Sequence, residues 1–287
     1  MSASFAEEAL VFDCGGDSLV GVLSVPTSPG PNGVLIVVGG PQYRAGSHRQ
    51  FTLLARELAQ AGVASLRFDY RGMGDSTGAP RTFENVHDDI RCAIDRLLAG
   101  VPGLKRVVIW GLCDAASAAL LYAHGDSRVT GLVLLNPWVR TEQGIARTHL
   151  RHYYRARLLQ GSFWRKIAQG HFDARRAAAG LGRLVLSAAS GGRASEGHPL
   201  PVRMEDGLRR FRGRVLVITS GNDLTAREFN DLASRSAGWR QLLMDKRITR
   251  RELSEANHTF ARRAWRDQVA RWTSEWLHQA DPPMDAT

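Results

Sequence analysis

Short apolar runs alternate with longer segments of helical periodicity along most of this chain. A hairpin-like pair opens it, Leu10 to Asp13 and Ser18 to Val25, around the turn at residues 14–17. Apolar runs of about four to eight residues bounded by turn residues predict buried strands. The later runs of this kind are Val34 to Val38, Val63 to Phe68, Val107 to Trp110, Gly131 to Leu135 and Arg214 to Thr219, and a further short strand is predicted near Ile248 to Leu253.

Helical periodicity fills the segments between these runs. Phe51, Leu54, Leu58 and Ala61 recur at helical spacing, and Gly62 ends that helix. The other predicted helices are Asp88 to Leu98, Asp114 to Ala123, Thr225 to about Lys246, and Arg262 to Gln279. Strands that alternate with helices predict an α/β fold with a mostly parallel central sheet and helices on both of its faces.

The alternation stops between about Trp138 and Glu205 and then resumes. Segments inserted between core strands commonly hold the residues that select a substrate. We therefore interpret the interruption as a helical cap inserted into the core. The predicted parts are a core of residues 1–137 and 206–280, a cap at 138–205 and a flexible tail at 281–287.

The segment that follows the strand at 107–110 carries the most specific local signal. It reads Gly111-Leu112-Cys113-Asp114-Ala115 and continues with small residues that suit a helix packed closely on a sheet. This is a variant of the G-x-S-x-G nucleophile elbow, with cysteine in place of serine. Glycine and alanine on either side fit the sharp, strained turn that presents a nucleophile. Cys113 is therefore the predicted nucleophile, and a buried cysteine of the core is the alternative.

Two further residues follow in the order that a catalytic triad of this kind requires. Asp223 comes just after the strand at 214–219, and His258 lies between the last strand and the last helix. The order nucleophile, acid, histidine is that of α/β-hydrolases. We expect His258 to accept the proton of Cys113 and Asp223 to fix the imidazole tautomer. Either residue can instead cap a neighbouring helix, and Asp223 can do both.

Acyl transfer also needs backbone N–H groups that stabilise the oxyanion. The amide of Asp114, which follows the nucleophile, is one predicted donor. The second is expected in the turn after the strand at 34–38, where Pro41 has no N–H to give. The donor predicted there is Gly40 or Gln42. The carboxylate of Asp114 also disfavours a thiolate at Cys113, because the two negative charges repel each other.

The amino-acid composition indicates which class of partner the protein binds and in which cellular compartment it is expected. The 287 residues carry 38 Lys and Arg against 28 Asp and Glu, a formal charge of +10, which favours anionic partners. The three cysteines, Cys14, Cys92 and Cys113, are too widely spaced for a disulfide framework or a cysteine-rich metal site. No apolar stretch approaches the roughly 18 residues of a membrane span, and no signal-peptide core is present. We expect a cytoplasmic protein without a cofactor or a metal.

The predicted cap combines basic and aromatic residues. Residues 138–176 hold nine Lys and Arg against two acidic residues. Such a surface suits an acyl chain on an anionic carrier, such as a phosphopantetheine thioester, or an acidic glycan ester. A solvated basic helix face is the alternative, and peripheral contact with a membrane stays open. Nucleic acid is disfavoured because no recognised motif accompanies the charge. The predicted substrate-binding residues are Arg44, His48, Trp138, Tyr153 and Tyr154.

Four segments together support a resemblance to a known family. They are Gly39-Gly40-Pro41-Gln42-Tyr43-Arg44, Phe68-Asp69-Tyr70-Arg71-Gly72-Met73-Gly74-Asp75-Ser76, the cysteine elbow, and Asn257-His258-Thr259-Phe260. Over roughly residues 10 to 275 the chain resembles the exosortase A system-associated hydrolase 1 family, cysteine-elbow α/β-hydrolases found with bacterial exopolysaccharide and protein-sorting loci. The elbow is also similar to that of dienelactone hydrolases, which use Cys, Asp and His. The resemblance implies a hydrolase associated with polysaccharide production.

The sequence thus predicts a capped α/β-hydrolase that cleaves an ester or thioester through an acyl-enzyme on Cys113, with acyl transfer as a variant of the same chemistry. The alternative from another class is a catalytically weak scaffold that uses its basic cap to dock an acidic or membrane-bound partner. Pro41 and Asp114 are the residues that favour this alternative.

Overall fold

A computed structural model describes residues 4–40, 42–140 and 198–279 of the chain. Within these ranges one sheet of eight strands forms the centre, in the order β1-β2-β4-β3-β5-β6-β7-β8. The strands β1 and β2 form an antiparallel hairpin, β2 pairs antiparallel with β4, and the remaining pairs are parallel. The strands are β1 Phe5–Cys14, β2 Asp17–Pro26, β3 Asn32–Val37, β4 Ala64–Phe68, β5 Arg106–Leu112, β6 Val129–Leu135, β7 Arg214–Ser220 and β8 Ile248–Leu253.

Helices connect the parallel strands. They are α1 Gln50–Gln60, α2 His87–Gly100, α3 Asp114–Tyr122, α4 Leu200–Arg210, α5 Leu224–Arg235, α6 Ala237–Leu243 and α7 Arg263–His278. Short 3-10 turns occupy Ser47–Arg49, Phe83–Asn85 and Ala123–Gly125. The α/β fold predicted from the sequence is confirmed.

The core lies on both faces of the sheet because successive strand residues point to opposite sides. On one face, Ile36 of β3 and Trp110 of β5 belong to an apolar cluster with α1 and α7. The ring of Phe51 from α1 meets Trp110 edge-on, with 5.7 Å between the ring centroids. On the other face, a Cβ on Gly33 would lie only 3.3 Å from Leu97 of α2. The apolar runs of β3 to β7 are continuous because both faces of these strands are buried.

One predicted helix is wrong. The helix expected from Thr225 to about Lys246 is two helices, α5 and α6, separated at Ser236. Ser236 has an extended backbone, and its side chain accepts a hydrogen bond from the N–H of Trp239 at 3.3 Å. A serine in this role begins a new helix, which the hydrophobic periodicity across the break does not reveal.

The contacts divide the chain into two compact units, Met1–Val139 with Met204–Thr287, and Arg140–Arg203. Residues 141–197 of the predicted cap and the predicted tail at 281–287 lie outside the described residues. Across the described ranges, none of the helices combines the length and apolar character needed to cross a membrane.

Candidate active site

Cys113 sits at the turn between β5 and α3 with a backbone conformation that few residues adopt. Its φ is 63° and its ψ is −123°, and a positive φ is unfavourable for a residue with a side chain. The turn is held by the Cys113 N–H, which donates to the carbonyl of Leu135 at 2.9 Å. A Cβ on Gly111 would lie 2.6 Å from the carbonyl carbon of Ala115. Glycine is therefore required at 111, as the elbow motif predicts.

Asp223 and His258 meet beside the carboxyl end of the sheet. Asp223 follows β7 and is the N-cap of α5, where its Oδ2 accepts a hydrogen bond from the N–H of Ala226 at 3.0 Å. The same Oδ2 lies 2.9 Å from Nδ1 of His258. The sequence left capping and orientation of the histidine as alternatives, and the geometry of this carboxylate combines them.

The electrostatics of His258 favour its protonated form. Hydrogen bonds with Asp223 and with the thiol of Cys113 raise the pKa of His258 to about 10, against the opposing effect of partial burial. Burial would raise the pKa of Asp223, but the hydrogen bond from His258 and the backbone N–H of Ala226 hold it below its usual range. The structure thus places Cys113 beside His258, and His258 in contact with Asp223.

Asn136 holds this arrangement in place, and the sequence analysis missed it. It follows β6 directly, is fully buried and has a φ of 43°. Its Nδ2 donates to Oγ of Ser220 at 2.8 Å and to the carbonyl of His258 at 3.1 Å. Its Oδ1 accepts the N–H of Ser220 at 2.9 Å. The only local signal is a polar residue that follows an apolar strand at the edge where sites form.

The predicted oxyanion donors have different surroundings. The N–H of Gly40 donates to Oδ2 of Asp114 at 2.9 Å. Burial raises the pKa of Asp114, while this N–H opposes the rise. Pro41 lies outside the described residues. The side chain of Gln42 accepts the N–H of Ser47 at 3.1 Å. The donor role of the Asp114 and Gln42 amides stays a prediction, and the Gly40 amide is occupied by a carboxylate.

The predicted substrate-binding residues have different surroundings. The guanidinium of Arg44 pairs with the fully buried Asp69 and, at 2.7 Å, with Asp75. His48 is exposed and has a φ of 53°. Trp138 is partly exposed, and its N–H donates to the carbonyl of Cys113 at 3.2 Å, next to the elbow. The remaining two, Tyr153 and Tyr154, lie outside the described residues.

An open cavity of about 680 Å³ adjoins the turn that carries Arg44. It is lined by Gln42, Tyr43, Arg44, Gly72, Met73, Gly74 and Asp75. Within residues 4–40, 42–140 and 198–279, no group of three His, Cys, Asp or Glu side chains is arranged to hold a metal ion.

The other two cysteines have surroundings unlike those of Cys113. Cys14 is buried and lies in hydrogen-bonding contact with Cys92 of α2. Burial and the neighbouring thiol raise the pKa of Cys14 to about 12. A thiol with so high a pKa is almost entirely protonated near neutral pH and is a poor nucleophile.

Comparison with known proteins agrees with the fold. A model of the alpha/beta hydrolase family matches residues 34–273. The chain belongs to this family. Human protein ABHD12B is 37% identical over 109 residues, which are 37% of this chain and 29% of that protein. The matched part of the chain therefore spans less than a third of that relative's length.

Two solved structures share the alpha/beta hydrolase fold over nearly the whole chain. The Pyrococcus furiosus esterase Pf2001 is 14% identical with a TM-score of 0.64, and the match covers 95% of this chain and 92% of that one. A dienelactone hydrolase from Anabaena variabilis is 18% identical with a TM-score of 0.60, covering 97% of this chain and 99% of that one. At these identities the likeness establishes the shared fold.

Proposed function

We propose that this alpha/beta hydrolase cleaves an ester or thioester through an acyl-enzyme on Cys113. The observation that carries the proposal is the pair of His258 and Asp223, 2.9 Å apart, beside Cys113 at a strained elbow. Nucleophilic catalysis by cysteine needs such a base, held in turn by a third group. The fold family and the esterase among the similar structures support the reaction class.

The first half of the reaction forms the acyl-enzyme. With a pKa of about 10, His258 holds its proton near neutral pH, and an imidazolium favours the thiolate form of a cysteine beside it. Sγ of Cys113 attacks the carbonyl carbon, and the negative charge passes to the carbonyl oxygen. As the tetrahedral intermediate collapses, the bond to the leaving group breaks. His258 then protonates the departing alcohol or thiol.

The second half releases the acyl group. Neutral His258 takes a proton from water, whose oxygen attacks the thioester carbon, and the carbon–sulfur bond breaks to release the carboxylic acid and restore Cys113. An alcohol or thiol in place of water would give acyl transfer by the same steps. Asp223 accepts a hydrogen bond from Nδ1 of His258, so that Nε2 is the atom that gives a proton to the leaving group and takes one from water.

The substrate class is proposed from charge and from the family resemblance. The formal charge of +10 favours an anionic acyl donor, since unlike charges raise the local concentration of substrate. The resemblance to the exosortase A system-associated hydrolase 1 family points to an ester made or modified during bacterial exopolysaccharide production. Both a carrier-bound acyl group and an acidic glycan ester fit these requirements.

Burst kinetics test the proposed function. Wild-type protein is mixed with short-chain aryl esters and with acyl-CoA thioesters, and the adduct is located by intact mass and peptide mapping. We expect a burst near one equivalent and acylation on Cys113. Cys113→Ala should abolish both, while Cys92→Ala, which removes another partly exposed cysteine, should keep the adduct. Absence of a burst and of any Cys113 adduct across the panel would refute the acyl-enzyme.

A scaffold that docks an acidic or membrane-bound partner is the second candidate. It is favoured by one specific observation, the carboxylate of Asp114 on the N–H of Gly40. A protein without turnover would tolerate a negative charge at this position, because no oxyanion develops there. Under this alternative, Cys113→Ala would leave partner binding intact and the wild type would form no acyl adduct.

A further inference from the structure

The turn after β3 and the start of α3 are the two places that supply oxyanion donors in this fold. One donor is the N–H of the residue after the nucleophile, here Asp114, and the other comes from the loop that follows the equivalent of β3. Gly40 lies in that loop, and its N–H donates to Oδ2 of Asp114 at 2.9 Å. A carboxylate oxygen thus binds the amide that would serve the carbonyl oxygen of a substrate.

The backbone at Gly39 packs tightly against the carboxylate of Asp114. Oδ1 of Asp114 is buried without a hydrogen-bond partner among the described residues. A Cβ on Gly39 would collide with this oxygen, and it would lie 2.7 Å from the carbonyl oxygen of Leu112. The turn is therefore closed directly onto the carboxylate.

Gly40, in contrast, has free space on the side where a side chain would point. Its φ is +60°, and a Cβ built on it would meet no atom of the described residues within 4 Å. Gly40 thus has room to move away from Asp114, whereas Gly39 does not. The backbone N–H groups of Asp114 and Ala115 also interact with this carboxylate and oppose the rise of its pKa, so the carboxylate stays anchored at the start of α3 when Gly40 moves.

We propose that the Asp114 side chain occupies the oxyanion site in the resting protein, so that the Gly40 amide becomes available to substrate only after the Gly40 peptide moves away from this carboxylate. The inference rests on the proposed acyl-enzyme function and adds an autoinhibitory contact to it. While the contact persists, a substrate carbonyl loses one donor and faces a negative charge. Displacement of the Gly40 peptide toward its open side breaks the contact, frees this amide for a substrate carbonyl and leaves the Asp114 amide at the start of α3 in place.

Two reactions of Cys113 separate the oxyanion site from the reactivity of the thiol. Alkylation by iodoacetamide requires the thiolate but no oxyanion donor, whereas acylation by a neutral aryl ester requires both. The ratio of the acylation rate to the alkylation rate therefore reports the oxyanion site. We expect Asp114→Ala to raise this ratio by about tenfold or more, because it releases an amide donor and removes a charge from the site.

Asp114→Asn is the matched control. Its side-chain oxygen still accepts the Gly40 N–H although its charge is gone, so its ratio should lie between that of the wild type and that of Asp114→Ala. Both substitutions remove the charge beside Cys113 and should change alkylation alike. The amide signal of Gly40 in ¹⁵N-labelled protein reports the contact directly, and it should shift in Asp114→Ala and much less in Asp114→Asn.

The outcomes distinguish this inference from the function on which it rests. If the wild type acylates and Asp114→Ala has an equal or lower ratio, the carboxylate does not block the site and the inference is overturned while the function stands. If neither protein acylates although the Gly40 signal has shifted, the acyl-enzyme function fails and the block is overturned with it. A higher ratio together with the shifted amide supports both.

Discussion

Oδ2 of Asp223 lies 2.9 Å from Nδ1 of His258 while it also accepts the N–H of Ala226 at the start of α5. One oxygen therefore fixes the imidazole and begins a helix. This shared use makes the position of His258 depend on the same loop that orders α5.

Substitution of Asp223 should separate its two tasks. Asp223→Asn keeps an oxygen for the cap but removes the charge that holds the His258 tautomer, so we expect acylation to fall by about 10²-fold or more with little loss of stability. Asp223→Ala loses the cap as well, which should lower the free energy of unfolding by about 1 kcal/mol. Stopped-flow acylation and urea unfolding measure the two effects. Wild-type acylation in Asp223→Asn would contradict the role given to the carboxylate.

The raised pKa of His258 predicts a stability that depends on pH. The folded protein binds the His258 proton more tightly than the unfolded chain, whose histidine keeps a pKa near 6.5. The stabilisation is therefore complete below about pH 6.5 and is lost as the pH rises through about 10. We expect the difference in free energy of unfolding between wild type and His258→Gln to shrink over this interval. Urea unfolding at about pH 6, 8 and 10 measures it.

Asp223→Asn serves as the control for this pH effect. It removes the largest cause of the raised pKa, so its own stability difference from a double variant with His258→Gln should vary less with pH. A wild-type difference that stays constant from about pH 6.5 to about 10 would show that the imidazole gains no proton affinity on folding.

Asn136 should be required for both stability and positioning of His258. Asn136→Ala leaves the buried N–H of Ser220 without its acceptor and removes the donor to the carbonyl of His258. We expect a loss of about 2 kcal/mol or more in the free energy of unfolding, together with slower acylation. Ser220→Ala, which removes only the hydroxyl partner of Asn136, should be milder on both measures. Equal effects of the two substitutions would rule out the contact with His258.

Arg44 should act mainly as the partner of a buried charge. Arg44→Met leaves the fully buried Asp69 without its guanidinium, and removal of one partner of a buried ion pair typically lowers stability by about 3 kcal/mol. Asp75→Asn removes the exposed partner and should lower stability by less than about 1 kcal/mol. Acylation by neutral and by anionic esters should fall by the same factor in Arg44→Met. A selective loss with anionic esters at unchanged stability would instead support the predicted substrate contact.

The elements and the elbow follow from local sequence. Continuous apolar runs predict β3 to β7 because strands buried on both faces leave no polar alternation. The largely exposed edge strand β8 lies where it is predicted, at Ile248–Leu253. Small residues at 111 and 115 mark the turn at Cys113, since any Cβ on Gly111 meets the backbone of α3. These are steric requirements between residues a few positions apart in the chain, so they can be predicted from the sequence alone.

Contacts between residues at the ends of different strands could not be predicted from the sequence and are seen only in the tertiary structure. Asn136 and Ser220 are far apart in the chain and meet because β6 and β7 are neighbours in the sheet. The same holds for Gly40 with Asp114, which meet because β3 lies beside β5.

The sequence by itself determined the alpha/beta fold, the cysteine elbow and the chain order of Cys113, Asp223 and His258. Only the tertiary structure decided that Asp223 serves two donors, that Arg44 is paired with Asp69, and that Asp114 binds the Gly40 amide. The physical reason is that strand formation and tight turns depend on neighbouring residues. The partner of a polar group depends instead on which strand ends the folded sheet places side by side.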